Sequence, residues 1–441
     1  MKFTICNVGI LKEIEVQCNG VTLITGKNGS GKSTFGKTVS SLFVGIQNAP
    51  KTYVSGLFGY LKASVAKIVG LRNYDLGTHY YFGSEYISIF RHLYSILNGG
   101  RVTLDYHYYD KLLLGAIKEI EENEDKFINF LRTHNILLDE YNNIDIIINQ
   151  LHSLRFDFEV MFFDKQKIEL YAGQSISDEL NYAFVGQVKP VNGSNDKTKI
   201  EFTGNNASIG YIFDDNIAFL DGDYSNINCF YIDDGSIVDS IYKRRIKSNK
   251  LVADSLADVL LDKLESNSSK DKVATRKKFE SIFHLIDMVY PFDFVRNGKL
   301  VVTSNNGVNI ANEASGRKIF ALIKEMLYCN LINDSSILVF DEPDNHLHPK
   351  WQAIFAKLIM EISSITGCSI FCITHSPTLL LAFDVYARDE NDDLSNNLNV
   401  YYCDPSSNQN KFADVSKNIS LAHKQLADPY IDLDLFGKDA V

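Results

Sequence analysis

Two short motifs carry most of the residues in this chain that could do chemistry. In the first, residues 26–33 read GKNGSGKS, with glycines at the first, fourth and sixth positions and a lysine-serine pair at the end. Glycines allow backbone turns that are closed to residues with a Cβ atom. Successive N–H groups can then converge on phosphate oxygens at the start of a helix. Because a strand-like segment precedes the motif and a helix-like segment follows it, the pattern predicts a nucleotide phosphate-binding loop.

This loop pattern assigns separate roles to its polar residues. Lys32 is expected to neutralise the β- and γ-phosphates of ATP, and Ser33 to hold Mg²⁺. Thr34 is expected to contact the α-phosphate. The predicted nucleotide-binding residues of the loop are Gly26, Lys27, Asn28, Gly29, Ser30, Gly31, Lys32, Ser33 and Thr34.

The second motif, residues 335–351, reads SSILVFDEPDNHLHPKW. Its continuous apolar run predicts a buried parallel strand that ends in two carboxylates, Asp341 and Glu342. Ligands of open α/β sheets bind at the carboxyl ends of the strands. With the phosphate-binding loop present, Asp341 is expected to be the second Mg²⁺ anchor, acting through water. Glu342 is expected to polarise the attacking water as a general base.

The composition bounds the class of protein. The chain has 441 residues and a net charge of −11, so nucleic-acid contact would need a local basic patch. A mean hydropathy of −0.10 is typical of a soluble globular protein, with more than one compact unit expected at this length. We see no signal peptide and no apolar run of about 18 residues, so we expect a cytoplasmic protein without membrane contact.

Seven cysteines without a CxxC pair predict buried, reduced thiols.

The secondary-structure patterns divide the chain further. Residues 2–8 and 21–26 look like strands joined by a polar turn. The aromatic and helical residues 51–155 predict an inserted lobe whose aromatics form a core, with a base-stacking platform as the less favoured alternative. Residues 156–173 alternate in a way that predicts a hairpin, and strands at 198–232 predict an antiparallel meander. FVRNGKLVV, residues 294–302, predicts a hairpin with Asn-Gly at its turn.

Three further segments carry a resemblance to a known family. ASGRK (residues 314–318) opens a predicted helix before the carboxylate strand, DNHLH (residues 344–348) follows that strand, and FCITHSP ends the next strand with His375. Together they resemble the signature motif, D-loop and switch histidine of ABC ATPases. Ser315 and Gly316 match the signature, whereas the two residues after them depart from its usual ending, as in ATPases resembling the SMC, RecF and OLD groups. DEPDNHLHP is close to the DEPExHLHP pattern of OLD-like ATPases, including those of bacterial anti-phage systems such as Septu and PARIS.

The resemblance covers roughly residues 1–40 and 290–380, and it implies a head-to-tail dimer with two ATP molecules at the interface. Ser315 and Gly316 of one copy would contact the γ-phosphate of the nucleotide that the other copy binds. His375 would contact the γ-phosphate or position the water, with a core histidine as the alternative. His348 would face the partner, while His346 is as well explained as a surface cap. Asp344 is expected to be a solvated turn residue.

The glutamine that this family carries in its Q-loop is left unassigned. The strand NCFYI, residues 228–232, has the right position in the chain order but ends in two aspartates, Asp233 and Asp234. Gln47 and Gln187 are the other candidates.

The expected fold class is α/β, a P-loop ABC-type ATPase head with an antiparallel β subdomain and an inserted α-helical lobe. We expect the ATPase lobe with the P-loop at residues 1–50, the helical insertion at 51–155 and the antiparallel β part at 156–235. The helical and hairpin signature lobe is expected at 236–312, and the signature helix, Walker B strand, D-loop, switch histidine and C-terminal tail at 313–441.

The resemblance and the lack of a second catalytic constellation favour an ATPase subunit whose nucleotide-dependent dimer controls a separate effector protein in anti-phage defence. The alternative is a RecF-like ATPase that binds DNA in repair. A basic segment at residues 243–250 could contact nucleic acid through Lys243, Arg244, Arg245 and Lys247, although a solvated helix face is the commoner explanation of such a segment. A transporter ATPase is disfavoured because the large insertion and the HLHP segment do not suit a membrane coupling surface.

Overall fold

The structure is a computed structural model. It describes residues 1–71, 84–98, 102–133, 143–190, 197–204, 206–233, 260, 269–297, 301–304, 307–309, 312–388, 398–404 and 412–426. The chain forms two compact units, which we call unit 1 (Met1–Gln47 with Ile176–Val441) and unit 2 (Asn48–Ser175). The basic segment at 243–250 and Asp234 lie outside the described residues.

The strands are β1 (Lys2–Val8), β2 (Leu11–Gln17), β3 (Val21–Gly26), β4 (Lys199–Gly204), β5 (Ala207–Ile212), β6 (Ile217–Gly222), β7 (Asn228–Ile232), β8 (Phe294–Asn297), β9 (Val301–Ser304), β10 (Ser336–Asp341), β11 (Ser369–Thr374), β12 (Leu398–Cys403) and β13 (Phe412–Asp414). The helices are α1 (Lys32–Ile68), α2 (Ser84–Ile89), α3 (Arg91–Asn98), α4 (Tyr106–Glu122), α5 (Glu124–Thr133), α6 (Ile144–Phe162), α7 (Lys165–Ala183), α8 (Ser269–Lys278), α9 (Glu280–Asp287), α10 (Ser315–Tyr328), α11 (Pro349–Thr366) and α12 (Pro377–Ala387).

Unit 1 is organised around a six-stranded sheet in the order β13-β12-β3-β11-β10-β7. All neighbours are parallel except the β12–β13 pair. Both faces of this sheet are covered, which explains the continuous apolar run in β10. Ile337 and Val339 pack in one hydrophobic core, and Leu338 and Phe340 pack in the other, all without solvent exposure.

A second, five-stranded antiparallel sheet in unit 1 has the order β2-β1-β4-β5-β6. The meander β4-β5-β6 is confirmed, but β7 does not belong to it. Instead, β7 pairs in parallel with β10, because its consecutive apolar residues suit a sheet covered on both faces. The polar turn predicted between β1 and β3 is also wrong, since residues 11–17 form β2, which buries Leu11, Ile14 and Val16.

Unit 2 is helical and has a core of its own, which includes Phe90, Tyr109 and Phe127 without solvent exposure. The prediction that its aromatic residues form a core is therefore confirmed for those that the structure describes. The hairpin predicted over residues 156–173 is wrong, because α6 and α7 cover this segment. Phe158 and Phe162 lie four residues apart and are buried, as a helix requires.

The remaining lobe of unit 1 holds the predicted signature helix, α10. The hairpin β8–β9 is confirmed as an antiparallel pair. Lys324 of α10 is 1% exposed, and its Nζ atom donates to Asp287 Oδ1 at 3.0 Å and to the Phe292 carbonyl at 2.9 Å. It also lies 2.9 Å from Asp293 Oδ1. This buried network fixes α10 to α9 and the segment after it.

The cysteines agree with the expectation from composition. The seven cysteines are free thiols, and all except Cys6 are buried. Of the helices that the structure describes, none is long and apolar enough to cross a membrane. The fold class is α/β with an antiparallel sheet and an inserted helical unit, as predicted.

Candidate nucleotide-binding site

The phosphate-binding loop connects β3 directly to α1, which begins at Lys32. Gly26 has a φ of 146°, and a Cβ atom there would lie 2.2 Å from the Cys403 carbonyl oxygen of β12. Only glycine allows the loop to leave the sheet so close to a neighbouring strand. Gly29 has a φ of 75°, and a Cβ atom there would meet no atom within 4 Å. Gly29 therefore owes its identity to its backbone conformation and not to close packing.

Lys32 bends back over this loop. Its Nζ atom donates to the carbonyl oxygens of Gly26, at 2.9 Å, and Lys27, at 2.8 Å. Burial lowers the pKa of Lys32, and nearby groups that include Glu342 and Asp341 act in the opposite direction. The buried ammonium group now donates to two neutral carbonyls. Phosphate oxygens share a negative charge and would be stronger acceptors for it.

Ser30 supplies an independent sign of a missing ligand in the loop. It is 1% exposed, and its hydroxyl has no hydrogen-bond partner in the structure. Buried polar atoms are nearly always hydrogen-bonded, so an orphan atom of this kind calls for an explanation. A phosphate oxygen in the loop would satisfy it.

The second anchor predicted for Mg²⁺ meets the loop. Ser33 Oγ donates to Asp341 Oδ1 at 3.1 Å, although the two residues are 308 positions apart. This contact follows from the sheet order, because β11 lies between β3 and β10 and all three strands run parallel. A hydroxyl and a carboxylate oxygen are the ligand types that Mg²⁺ prefers, so the pair fits this cation. No cluster of three or more His, Cys, Asp or Glu side chains suited to a metal was found among the described residues.

Asp341 has a further partner that the sequence did not reveal. The hydroxyl of Tyr231, on β7, donates to Asp341 Oδ2 at 2.5 Å. Burial raises the pKa of Asp341, while the hydrogen bonds from Tyr231 and Ser33 act to lower it. A metal ion bound beside this carboxylate would favour its ionised form, which is the form that binds metal ions.

Glu342 leaves the strand through a left-handed turn, with a φ of 52°. Its N–H donates to the Ile373 carbonyl at 2.8 Å, which fixes this turn against β11. The carboxylate is held on one side, where Asn345 Nδ2 donates to Oε2 at 2.8 Å; on the other side His375 Nδ1 lies 3.4 Å from Oε1 without a hydrogen bond. Because the His375 side chain is 41% exposed, it is not the core histidine considered as an alternative.

Asp344 is buried at 8% exposure, so the expectation of a solvated turn residue is wrong. The Thr374 hydroxyl donates to Asp344 Oδ1 at 2.6 Å. Burial raises the pKa of Asp344, and this hydrogen bond opposes the rise. The carboxylate ties the D-loop segment to the end of β11, where His375 follows.

The two histidines of the D-loop segment have different roles in the described structure. His348 is the N-cap of α11, where its Nδ1 atom accepts from the N–H of Lys350 at 3.3 Å. The cap is therefore His348 and not His346, which is exposed and has a φ of 127°.

The signature segment begins α10, with Ser315 as its first helical residue. A Cβ atom on Gly316 would lie 2.4 Å from the His346 carbonyl oxygen, so glycine permits contact between the signature and D-loop segments. A cavity of about 140 Å³ opens beside them, and Glu342 and Asn345 are in its lining. No residue of the phosphate-binding loop lines this cavity.

The candidate Q-loop residues separate in the structure. Gln47 Nε2 donates to the Ile227 carbonyl at 2.9 Å, just before β7. Gln187 lies exposed in a turn. Asp233 follows β7 and lines the cavity beside Ser315.

The position of Tyr231 beside Asp341 could be recognised only once β7 was known to pair with β10.

Three SMC head domains are among the solved structures that are similar to this chain. The head domain from Thermotoga maritima is 11% identical, with 94% of this chain and 97% of that chain covered and a TM-score of 0.34. The head domain from Pyrococcus furiosus, bound to the C-terminal domain of ScpA, is 13% identical, with 95% and 97% covered and a TM-score of 0.34. A third, from Pyrococcus yayanosii, is 13% identical, with 97% and 99% covered and a TM-score of 0.36.

No curated protein matches this chain. A family model described as the AAA ATPase domain, however, matches residues 1–380, which contain the phosphate-binding loop, the carboxylate strand and His375. The ATPase class predicted from the motifs is confirmed at this level. The chain belongs to the AAA ATPase domain family.

Proposed function

We propose that the chain binds ATP with Mg²⁺ in the loop at residues 26–34 and hydrolyses it. The observation that carries this proposal is the Ser33–Asp341 contact at 3.1 Å, which joins the two halves of a metal-nucleotide site across 308 residues. Ser33 and Asp341 would hold the cation, and Lys32 would bind the phosphate oxygens. Bound Mg²⁺ would supply positive charge to the phosphate groups. The backbone of the loop would hold the triphosphate in place.

Glu342 is the proposed general base. Its carboxylate lies one residue beyond the metal anchor, and Asn345 and His375 bracket its two oxygens. With a hydrogen bond from Asn345 on Oε2, Oε1 remains to accept a proton from a water molecule. His375 beside Oε1 would orient that water or contact the terminal phosphate.

We further propose that two copies assemble head to tail to complete each site. The N-terminus of α10 carries partial positive charge and free N–H groups, which suit a terminal phosphate. Ser315 and Gly316 lie at this N-terminus, and the cavity beside them includes no residue of their own chain's phosphate-binding loop. A partner chain would bring its nucleotide to this position.

The nucleotide state of this dimer is proposed to control a separate effector protein in anti-phage defence. Support comes from the resemblance of DEPDNHLHP, residues 341–349, to OLD-like ATPases of such systems. Co-purification with the products of neighbouring genes tests this: an ATP-dependent complex is expected, and the absence of any such complex would contradict the proposal.

The hydrolysis proposal is tested with two variants. Lys32→Ala is expected to weaken ATP binding by roughly 10- to 100-fold, because a charge-assisted contact is lost. Glu342→Gln is expected to keep binding, to lower the turnover rate by about 10²- to 10⁴-fold and to trap the dimer. Lys51→Ala, at an exposed position of α1, is the matched control. Equal turnover in the wild type and Glu342→Gln would refute the assignment of the base.

The alternative function, direct DNA binding in repair, would use Lys243, Arg244, Arg245 and Lys247. In the described part of the same lobe, α8 ends in Arg276, Lys277 and Lys278, which adds basic charge. Charge reversal at Lys243, Arg244 and Arg245 separates the alternatives. Loss of ATP-dependent, salt-sensitive DNA binding in this variant would favour the DNA-binding function, and unchanged behaviour would favour effector control.

A further inference from the structure

Tyr231 is a partly buried side chain at the site to which none of the motifs assigns a role. It lies on β7, beside β10, where the parallel register pairs it with Val339, two residues before Asp341. Its hydroxyl donates to Asp341 Oδ2 at 2.5 Å, while the Ser33 hydroxyl donates to Oδ1 at 3.1 Å. Each oxygen of the carboxylate therefore has one donor, and the two donors come from different elements.

The ring of Tyr231 is held in position by α1. A Cβ atom at Gly36 would lie 3.3 Å from Tyr231 Cε2, 3.1 Å from Val339 Cγ1 and 2.6 Å from Ile373 Cδ1. Glycine thus lets the helix approach the sheet closely, and the ring fills part of the space below it.

We propose that Tyr231 is a positioning residue for the metal site, a role that rests on the proposed function. Its hydrogen bond fixes the rotation of the Asp341 carboxylate so that Oδ1 faces Ser33 and Oδ2 faces away from it. Without this bond the carboxylate can turn about its side-chain axis, and the two predicted metal ligands no longer lie together in advance. Hydrogen bonds to metal-binding carboxylates commonly contribute 10- to 100-fold in metal affinity.

A simpler role for Tyr231 is packing alone, and Tyr231→Phe separates the two. This change removes the hydroxyl and keeps the ring against α1. If the residue only packs, Phe serves equally well. If it orients Asp341, the requirement for Mg²⁺ changes and the affinity for metal-free nucleotide does not, because Lys32 and the loop are untouched.

The experiment titrates MgCl₂ against the wild type and Tyr231→Phe while binding of a non-hydrolysable ATP analogue is followed by calorimetry. The Mg²⁺ concentration for half-maximal binding is expected to rise about tenfold or more in Tyr231→Phe. Affinity measured in EDTA is expected to change less than twofold. Tyr211→Phe is the control for loss of a tyrosine hydroxyl, because Tyr211 lies on β5 of the antiparallel sheet, is 0% exposed and donates to Asn216 Oδ1 at 3.3 Å.

The outcomes are distinct. An unchanged Mg²⁺ requirement in Tyr231→Phe overturns the inference, and so does an equal loss of affinity in EDTA, which would show general loosening of the loop. In an Asp341→Ala background, Tyr231→Phe should cause no additional change in the Mg²⁺ requirement, and an additional change would also overturn it. If wild-type binding does not depend on Mg²⁺ at all, the proposed metal site fails, and the inference about Tyr231 fails with it.

Discussion

The contact between Gly316 and the D-loop segment leads to a quantitative prediction for Gly316→Ala. The added methyl group would lie 2.4 Å from the His346 carbonyl oxygen and 3.2 Å from Leu347 Cδ2. The first of these atoms is backbone, so α10 and the D-loop segment must move apart. Overpacking of this kind costs about 1–3 kcal/mol, and the higher helix propensity of alanine returns at most about 1 kcal/mol. We therefore expect a net destabilisation of about 1–2 kcal/mol.

Thermal unfolding measures this loss, with an expected fall of roughly 2–8 °C in the transition of unit 1. Gly56→Ala is the matched control, because this exposed glycine lies inside α1 and its nearest neighbour would be the Tyr171 hydroxyl at 3.5 Å. The control should gain about 0.5–1 kcal/mol. Dimer formation with the ATP analogue should weaken in Gly316→Ala only, since Ser315 is displaced with the helix. A Gly316→Ala protein as stable as the control would refute the reasoning.

Two other predictions concern charge. Asp341 has a pKa raised by burial above its usual value of 3.8, so the folded state binds its proton more readily than the unfolded state does. The contribution of Asp341 to the stability of the nucleotide-free protein should therefore fall as pH rises from below 3.8 through the folded-state pKa, and it should fall less when Mg²⁺ is present; the difference in thermal unfolding between the wild type and Asp341→Asn across this range checks the sign. Lys324→Met should destabilise unit 1 by about 2 kcal/mol in denaturant unfolding, because Asp287 and Asp293 lose their buried cation while Asp287 keeps its pair with Arg276 and Asp293 is 40% exposed. Lys118→Met, which removes an exposed pair with Glu122, should change stability by less than about 1 kcal/mol, and equal effects would contradict the role of burial.

The sequence predicts the parts of the site that depend on local pattern. The glycine spacing of the loop marks the carboxyl end of β3, and the apolar run before Asp341 marks the carboxyl end of β10. Because both strands run parallel in one sheet, these two ends lie at the same edge. Tyr231 could not be found in this way, because its contact with Asp341 spans 110 residues and depends on β7 pairing with β10. The burial of Asp344 could not be predicted for a similar reason, since its partner Thr374 lies at the end of β11, 30 residues further along the chain.

The wrong hairpin in unit 2 has a physical explanation in the exposed residues of α6. Phe156 and Val160 are 67% and 60% exposed, although both are apolar. They alternate in the sequence with polar residues and so imitate the period of a strand. The buried pair Phe158 and Phe162 carries the helical period, but the exposed apolar residues obscured it.

The order of strands in the central sheet has a consequence for how the polypeptide is made. β3, which leads into the phosphate-binding loop, pairs only with β11 and β12, both of which come near the other end of the described chain. During translation, β3 must wait for these strands to leave the ribosome, and such long-range pairing is intrinsically slow. A product that stops before β11 would carry the loop sequence on an unpaired strand, so incomplete chains should be unable to sequester nucleotide.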